Sequence, residues 1–174
     1  MGAKAMFPGI PMDFDYAQLH KHFGRIWPLH VEGFTQLLID LRRHFGGDLD
    51  RMLVLAIIGS RTLPRRRTEG LSYDDFLASR THDRNPGRIN VQSIAECSGI
   101  PRETVRRKVR ELELLGWLIR EGNGHLRVAE QAARDLQPAT EATLEYLLTI
   151  GSACVAAARA ESAPDTDPGP EPFT

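Results

Sequence analysis

A glycine and a proline two positions apart divide the stretch that follows residue 88 into two short helices. Asn90 can cap a first helix, and Gly99 ends it where a left-handed backbone is least costly. Pro101 suits the first turn of the next helix. A short extended segment at Ile89 and Val91 precedes both. The pattern predicts a helix, a tight turn and a second helix, the first containing Ile94, Ala95 and Cys97.

The second helix is predicted to bury one face and to expose a basic one. Apolar residues spaced four and three apart share the buried face, namely Val105, Val109 and Leu112. At about 100° per residue, the residues that point away are Glu103, Thr104, Arg106, Arg107 and Arg110. Five basic residues and one acidic residue between positions 101 and 110 give a local charge of +4, in a chain whose net charge is −1. This contrast is the strongest electrostatic signal in the sequence.

A β-hairpin signal follows directly. Gly116 breaks the second helix, and Gly122-Asn123-Gly124 is a strong turn signal between two strand candidates, residues 117–121 and 125–128. Trp117 is expected to pack beneath this hairpin rather than to stack on a base.

Together these pieces resemble the winged helix-turn-helix of bacterial transcriptional regulators of the MarR-like or GntR-like kind. About 45 of the 174 residues carry the resemblance. The matching motif is Ile94-Ala95, Gly99-Ile100, Thr104-Val105-Arg106-Arg107, Leu112, Leu115-Gly116 and the Gly-Asn-Gly turn. The resemblance implies that the recognition helix, residues 101–115, lies in the major groove of double-stranded DNA. The hairpin, or wing, would reach a neighbouring minor groove or phosphates.

The DNA-binding residues that this resemblance implies lie on the second helix and the hairpin. They are Arg102, Glu103, Thr104, Arg106, Arg107, Lys108, Arg110, Asn123, His125 and Arg127. Arg102 and Thr104 would lie closest to base edges, and Arg106 and Arg107 are expected to make the main contacts. Lys108 departs from the family, in which this position is often small or apolar. Either its stem packs while its amine escapes, or the helix is slightly rotated.

The rest of the chain is predicted to be helical. Expected helices cover residues 16–27, ended by Pro28, and residues 31–45, stopped by Gly46 and Gly47. Asp48 can cap a helix over residues 49–62, whose run MLVLAII requires burial on nearly every side. Ser72 and Asp75 signal a further short helix. Beyond the hairpin, residues 129–135 are predicted to be helical, Pro138 interrupts, and another helix covers residues 140–160.

The predicted fold class is therefore mainly α, a winged helix-turn-helix with a small hairpin, flanked by N-terminal and C-terminal helices. Four segments are expected: residues 1–84 for dimerisation and core, 85–129 for DNA binding, 130–160 for dimerisation, and 161–174 as a disordered acidic tail. A sequence-specific transcriptional regulator that acts as a homodimer is the predicted function. The alternative is a winged-helix protein-interaction module. A small-molecule effector cannot be inferred.

Other functions have weaker support. No phosphate-binding glycine loop, nucleophile with its base or paired carboxylates indicate an enzyme, and no cofactor is expected. His20, His22, His30 and His44 lack carboxylate or cysteine partners at metal-binding spacings. Cys97 is expected to fill the core rather than to act as a redox switch. The residues Arg65, Arg66 and Arg67 fit a phosphate clamp and a charged surface loop equally well.

Cysteine spacing and hydropathy predict a cytoplasmic protein. Cys97 and Cys154 lie far apart, which indicates neither a disulfide framework nor a zinc site. The longest apolar run, residues 52–58, is far shorter than the roughly 20 residues that a membrane span requires. Neither export nor a membrane partner is expected.

Overall fold

The computed structural model describes residues 15–62 and 89–162, together with Gly70, Ser72 and Asp75 between them. Across these residues the chain is mainly helical with one small antiparallel sheet of two strands, which confirms the mainly α class. The elements in chain order are α1 (Tyr16–Lys21), α2 (Phe23–His44), α3 (Leu49–Thr62), α4 (Val91–Ser98), α5 (Arg102–Leu114), β1 (Leu118–Arg120), β2 (Leu126–Val128), α6 (Glu130–Asp135) and α7 (Gln137–Ser162). Among the described residues, no helix has the length and apolarity needed to cross a bilayer.

The first helical region differs from the prediction at Pro28. Asp15 caps α1 by accepting a hydrogen bond from the backbone N–H of Gln18, 2.9 Å long. The break comes at His22, and α2 then runs through Pro28 instead of ending before it. Pro28 lies in the second turn of α2, where the missing N–H removes one backbone hydrogen bond while the helix continues on both sides. The expected helix end at Pro28 is therefore wrong.

The junction between α2 and α3 follows the prediction. Gly46 and Gly47 end α2 with positive φ angles of 62° and 87°. Asp48 caps α3, because its Oδ1 accepts a hydrogen bond of 2.9 Å from the N–H of Arg51. Burial of α3 on every side is wrong, since α4, α5 and β2 pack against one face and Leu53 stays exposed.

Three further predictions are partly or wholly outside the described residues. The side chain of Ser72 accepts a hydrogen bond of 3.1 Å from the N–H of Asp75, as the expected start signal requires. The helix predicted after it, the arginines at positions 65–67 and residues 163–174 of the acidic tail are not among the described residues.

The chain divides into two compact units, one of residues 37–143 and one of residues 1–36 with 144–174. We call them the central unit and the terminal unit. The central unit has a continuous core, whose fully buried side chains are Val54, Ile58, Ile94, Val105, Val109, Leu112 and Leu126. The division of the chain into four segments, made from the sequence, stays a prediction.

The terminal unit has a smaller core. Its buried cluster consists of Ile26, Ala153 and Ala157. Nδ1 of His30 lies 2.8 Å from the hydroxyl oxygen of Tyr146, and the absent side chain of Gly33 lets the same tyrosine ring lie close to α2. The helices predicted beyond the hairpin are α6 and α7. The latter begins at Gln137, because Pro138 occupies its first turn, where a proline is tolerated.

Candidate nucleic-acid interface

The first helix and turn of the candidate site form as the sequence predicts. Oδ1 of Asn90 accepts a hydrogen bond of 3.0 Å from the N–H of Ser93 and thereby caps α4. Gly99 ends α4 with a φ of 73° in the left-handed region. Val91 is the first residue of α4, so its assignment to the extended segment is wrong. That segment is Ile89, whose carbonyl accepts a hydrogen bond of 3.0 Å from the N–H of Leu126 in β2.

Helix α5 buries the predicted face completely. Pro101 stands at the cap position just before the helix, and its fixed φ of −54° suits that place. The three residues predicted to share the buried face are fully buried, namely Val105, Val109 and Leu112. They belong to one core cluster with Val54 and Ile58 of α3 and with Ile94 of α4. This packing determines which side of α5 remains accessible.

The accessible side of α5 carries the predicted polar residues. Arg102, Glu103, Arg107 and Arg110 are exposed, while Thr104 and Arg106 are half-buried. Two of the arginines are paired with acidic residues on the same helix. Nη1 of Arg106 lies 2.6 Å from Oε2 of Glu103, and Nε of Arg107 lies 3.8 Å from Oε1 of Glu111.

Lys108 does not belong to that exposed face. Only 7% of its surface is accessible, and its ammonium forms an ion pair with Asp48 and another with Glu111, 3.3 Å from Oε2. The stem packs as expected, but the amine does not escape to solvent, because the carboxylate that caps α3 binds it. We therefore correct the expectation that Lys108 faces DNA.

The contact with Lys108 lowers the pKa of its partner, Asp48. Partial burial raises the pKa of Asp48, but the hydrogen bonds from Lys108 and from the N–H of Arg51, together with both positive charges, outweigh it. The pKa of Asp48 therefore lies below its ordinary value. Nε of Arg51 also lies 3.5 Å from Oε2 of Glu111, so the amino end of α3 and the middle of α5 share one charge network.

Residues 115–117 connect α5 to the hairpin. Gly116, with a φ of 72°, reverses the chain, and the N–H of Trp117 reaches back to the carbonyl of Leu112 at 2.9 Å. Strands β1 and β2 then pair antiparallel, with Leu118 opposite Val128 and Arg120 opposite Leu126. At the tip, the N–H of Gly124 donates to the carbonyl of Glu121 at 2.8 Å, and Gly124 has a φ of 81°. The predicted turn is confirmed.

The hairpin residues proposed as DNA contacts are accessible to different degrees. Asn123 is exposed at the tip, and its side chain accepts a hydrogen bond of 3.1 Å from the N–H of His125. His125 and Arg127 are half-buried, and Nε of Arg127 lies 3.8 Å from Oε1 of Glu121. Nine of the ten predicted site residues thus stay at least partly exposed, and Lys108 is the exception.

Trp117 packs beneath the hairpin, as predicted. It is buried, its ring meets that of Phe45 edge to face at 5.5 Å, and its Nε1–H donates to Asp135 at 2.8 Å. The indole joins the end of α2 and α6 to the hairpin, so it does not face outward to stack on a base.

Sequence reasoning missed three charged residues near the site. Asp48 and Arg51 act on α5 from a distance of about 60 positions in the chain, and no local pattern indicates such a contact. Arg120 on β1 is exposed and lies 2.9 Å from Glu113 on α5. Its position beside the predicted turn could have identified it as a further basic residue of the hairpin.

Two other expectations concern cysteine and histidine. Cys97 is exposed, so its expected core role is wrong. It occupies the last turn of the eight-residue α4, past the buried Ile94, and its Sγ contacts the carbonyl of that residue at 3.6 Å. In the described part of the chain, no group of three or more histidine, cysteine, aspartate or glutamate residues could hold a metal ion.

Comparison with known proteins places this chain in no family. No family model, no curated protein and no solved structure matches it significantly. Any functional assignment therefore depends on the residues of this chain.

Proposed function

We propose that residues 89–129 form a winged helix-turn-helix that binds double-stranded DNA and that the protein regulates transcription. The observation that carries the proposal is the orientation of α5. Its apolar face is fully buried against α3 and α4, which leaves four arginines on the accessible side. A helix of this width fits the major groove, where arginines donate paired hydrogen bonds to guanine.

The positions of the arginines suggest different roles in that complex. Arg102 lies at the amino end of α5 with Thr104 close by, where helices of this class approach base edges. Arg106 and Arg107 occupy the next turn and are the proposed main contacts. Among the described residues, Arg102 and Arg110 form no ion pair. They can therefore contact phosphates without competition from a carboxylate of the same chain. Lys108 is excluded, since Asp48 binds it.

The hairpin supports the same proposal. It follows α5 after a connection of three residues and presents Asn123 at its tip, with His125 and Arg127 on the returning arm. In a DNA complex these residues would contact the backbone or the neighbouring minor groove. The ion pair between Arg120 and Glu113 ties the first strand to the end of α5.

We further propose a homodimer, assembled through the terminal unit. Its helices expose large apolar side chains, namely Phe23, Trp27 and Val31 on α2 and Leu144, Leu147, Leu148 and Val155 on α7. Exposed apolar side chains that recur every three or four residues along a helix mark a surface that binds another protein chain. A second copy would bring two recognition helices to half-sites about 10 base pairs apart, or a multiple of that.

The second candidate is a module that binds another protein. The observation that favours it is the pairing of Arg106 and Arg107 with acidic residues, which lowers the charge that α5 presents. This candidate predicts DNA binding that is weak, independent of sequence and abolished by moderate salt.

Selection of bound sites from a random DNA pool at about 150 mM salt separates the two candidates. A palindromic site bound about 10³-fold more tightly than scrambled DNA is the result that DNA regulation requires. The absence of any enriched sequence would favour the protein-binding module instead.

A further inference from the structure

Acidic residues neutralise part of the arginine surface within the chain itself. On α5, Arg106 pairs with Glu103 and Arg107 pairs with Glu111. On the hairpin, Arg127 pairs with Glu121. DNA that binds these arginines competes with the carboxylates for the guanidinium donors and their positive charge. The acidic partners therefore affect how strongly any DNA is bound.

Glu103 differs from the other two acidic residues of these pairs. Its side chain is 74% exposed, and Arg106 is its one ion-pair partner among the described residues. Glu111 is half-buried and also forms ion pairs with Lys108 and Arg51, so it belongs to the charge network between α3 and α5. Glu121 lies on the hairpin. Glu103 alone is a freely accessible carboxylate in the first turn of the recognition helix.

A carboxylate at that position acts differently on random and on specific DNA. With random DNA the arginine exchanges Glu103 for a phosphate, which replaces one anion by another while Glu103 and the phosphate repel each other. At a specific site, Arg106 can instead donate two hydrogen bonds to a guanine, and Glu103 can accept one from the amino group of a cytosine. The carboxylate therefore weakens binding to random DNA more than binding to a matching site.

We infer that Glu103 is a specificity-determining residue, whose ion pair with Arg106 suppresses binding to non-matching DNA. The inference depends on the proposed DNA-binding function and adds a role for an acidic residue within the contact surface. It also gives a reason for the only acidic residue among positions 101–110.

The test compares the wild-type chain with Glu103→Gln, using scrambled duplex and the duplex enriched by selection. We expect Glu103→Gln to bind scrambled duplex about threefold or more tightly, with a steeper dependence on salt, because Arg106 is free to meet one more phosphate. Affinity for the selected duplex should change less or fall, so the ratio of the two affinities decreases. Glu103→Asp, which keeps the charge, should retain most of the wild-type ratio.

Glu130→Gln is the matched control. Glu130 likewise lies in the first turn of a helix, α6, and has an arginine partner, Arg134, at 3.9 Å one turn further on. The substitution removes the same charge from a residue outside α5 and the two strands, so it should leave both affinities unchanged. Unchanged binding of scrambled duplex by Glu103→Gln, or an equal increase with Glu130→Gln, would overturn the role of Glu103. If the wild-type chain binds neither duplex, the proposed DNA-binding function itself fails. That outcome differs from one in which the wild-type chain binds DNA and only the role of Glu103 is overturned.

Discussion

The two units of this chain bury their apolar residues to very different extents. The central unit has a continuous core to which α3, α4, α5 and both strands contribute, and seven of its side chains are almost inaccessible. In the described part of the terminal unit, the buried cluster consists of Ile26 and two alanines, while Trp27 and Leu148 remain half or more exposed. Among the described residues, the central unit thus has a core of large side chains, whereas the core of the terminal unit consists of one isoleucine and two alanines.

The two cores differ in the apolar area that they bury, and burial of apolar area stabilises a fold. Burying a leucine or isoleucine side chain contributes about 1.5–3 kcal/mol, so the core of the central unit can hold its helices in place within one chain. Alanines supply far less apolar area, so the core of the terminal unit, as far as it is described, contributes much less stabilisation. The comparison predicts that substitutions inside the central unit act on folding, while those on the terminal unit act on association.

The largest expected effect is that of Leu112→Ala. This side chain is fully buried between α5 and α3, so its removal should lower the free energy of unfolding by about 2–5 kcal/mol. Urea unfolding followed by circular dichroism measures the change. Leu114→Ala is the matched control, because Leu114 lies two residues further on in α5 and is 88% exposed. It should change stability by less than about 0.5 kcal/mol. Equal losses from the two variants would contradict the described orientation of α5.

The next effect concerns DNA rather than folding. Arg106→Ala combined with Arg107→Ala should weaken binding to the selected duplex by at least about 2 kcal/mol while the melting temperature stays close to that of wild type. Fluorescence anisotropy with a labelled duplex measures the affinity. Arg43→Ala with Arg134→Ala removes the same charge from exposed residues of α2 and α6, and should have a much smaller effect. A double variant on α5 that binds as tightly as wild type would exclude these two arginines as main contacts.

The parts of the fold that can be predicted well from the sequence are those determined by local rules. Asn90 through its side chain, and Gly99 and Gly116 through their backbone conformation, act on the chain within a few residues, so their caps and turns can be identified from sequence. The buried face of α5 follows from the spacing of Val105 and Val109 alone. The same holds for the hairpin turn. For this reason the position of the candidate site in the chain follows from its amino-acid pattern.

The errors in the prediction have a different origin. The ion pair of Lys108 with Asp48 joins residues 60 positions apart, so no local pattern indicates that a carboxylate binds the amine of Lys108. The residue types of Cys97 and Leu53 predict burial, whereas their accessibility depends on where a helix ends and on which side its neighbours lie. The helix end predicted at Pro28 is wrong because the true break at His22 has no sequence signal of comparable strength.

A smaller effect on stability is expected from the ion pair of Lys108 with Asp48 in the central unit. Lys108→Met keeps the packing of the stem but leaves Asp48 without its ammonium partner, which should cost about 1–2 kcal/mol of stability at pH 7. Arg134→Met, which removes the exposed pair with Glu130, should cost less than about 0.5 kcal/mol. Urea unfolding measures both. A loss no larger than that of the control would show that the pair between α3 and α5 contributes no net stability.

The same pair makes a prediction for acid pH. The pKa of Asp48 is lower in the folded chain than in the unfolded chain, so the unfolded state binds the proton first as pH falls. The stability from this group is fully present above the unfolded pKa of about 4 and is lost as pH falls through the lower folded pKa. The stability difference between wild type and Lys108→Met should therefore be constant near neutral pH and shrink below about pH 4. A difference that stays constant down to about pH 3 would contradict this explanation.

The smallest effect should appear in the terminal unit and should not involve folding at all. Leu148 is 70% exposed, so Leu148→Ala removes few contacts within one chain and should leave the unfolding free energy per chain nearly unchanged. In a homodimer the same side chain would be buried by the second copy, and its loss should raise the dimer Kd about fivefold, which corresponds to about 1 kcal/mol. Sedimentation equilibrium at several protein concentrations measures that constant, with Leu114→Ala as the control for an exposed leucine of the other unit. A wild-type chain that stays monomeric at micromolar concentration would show that its apolar helices are not covered by a second copy. A dimer that Leu148→Ala leaves intact would instead move the interface away from this face of α7, and the contrast between the two units would then need another explanation.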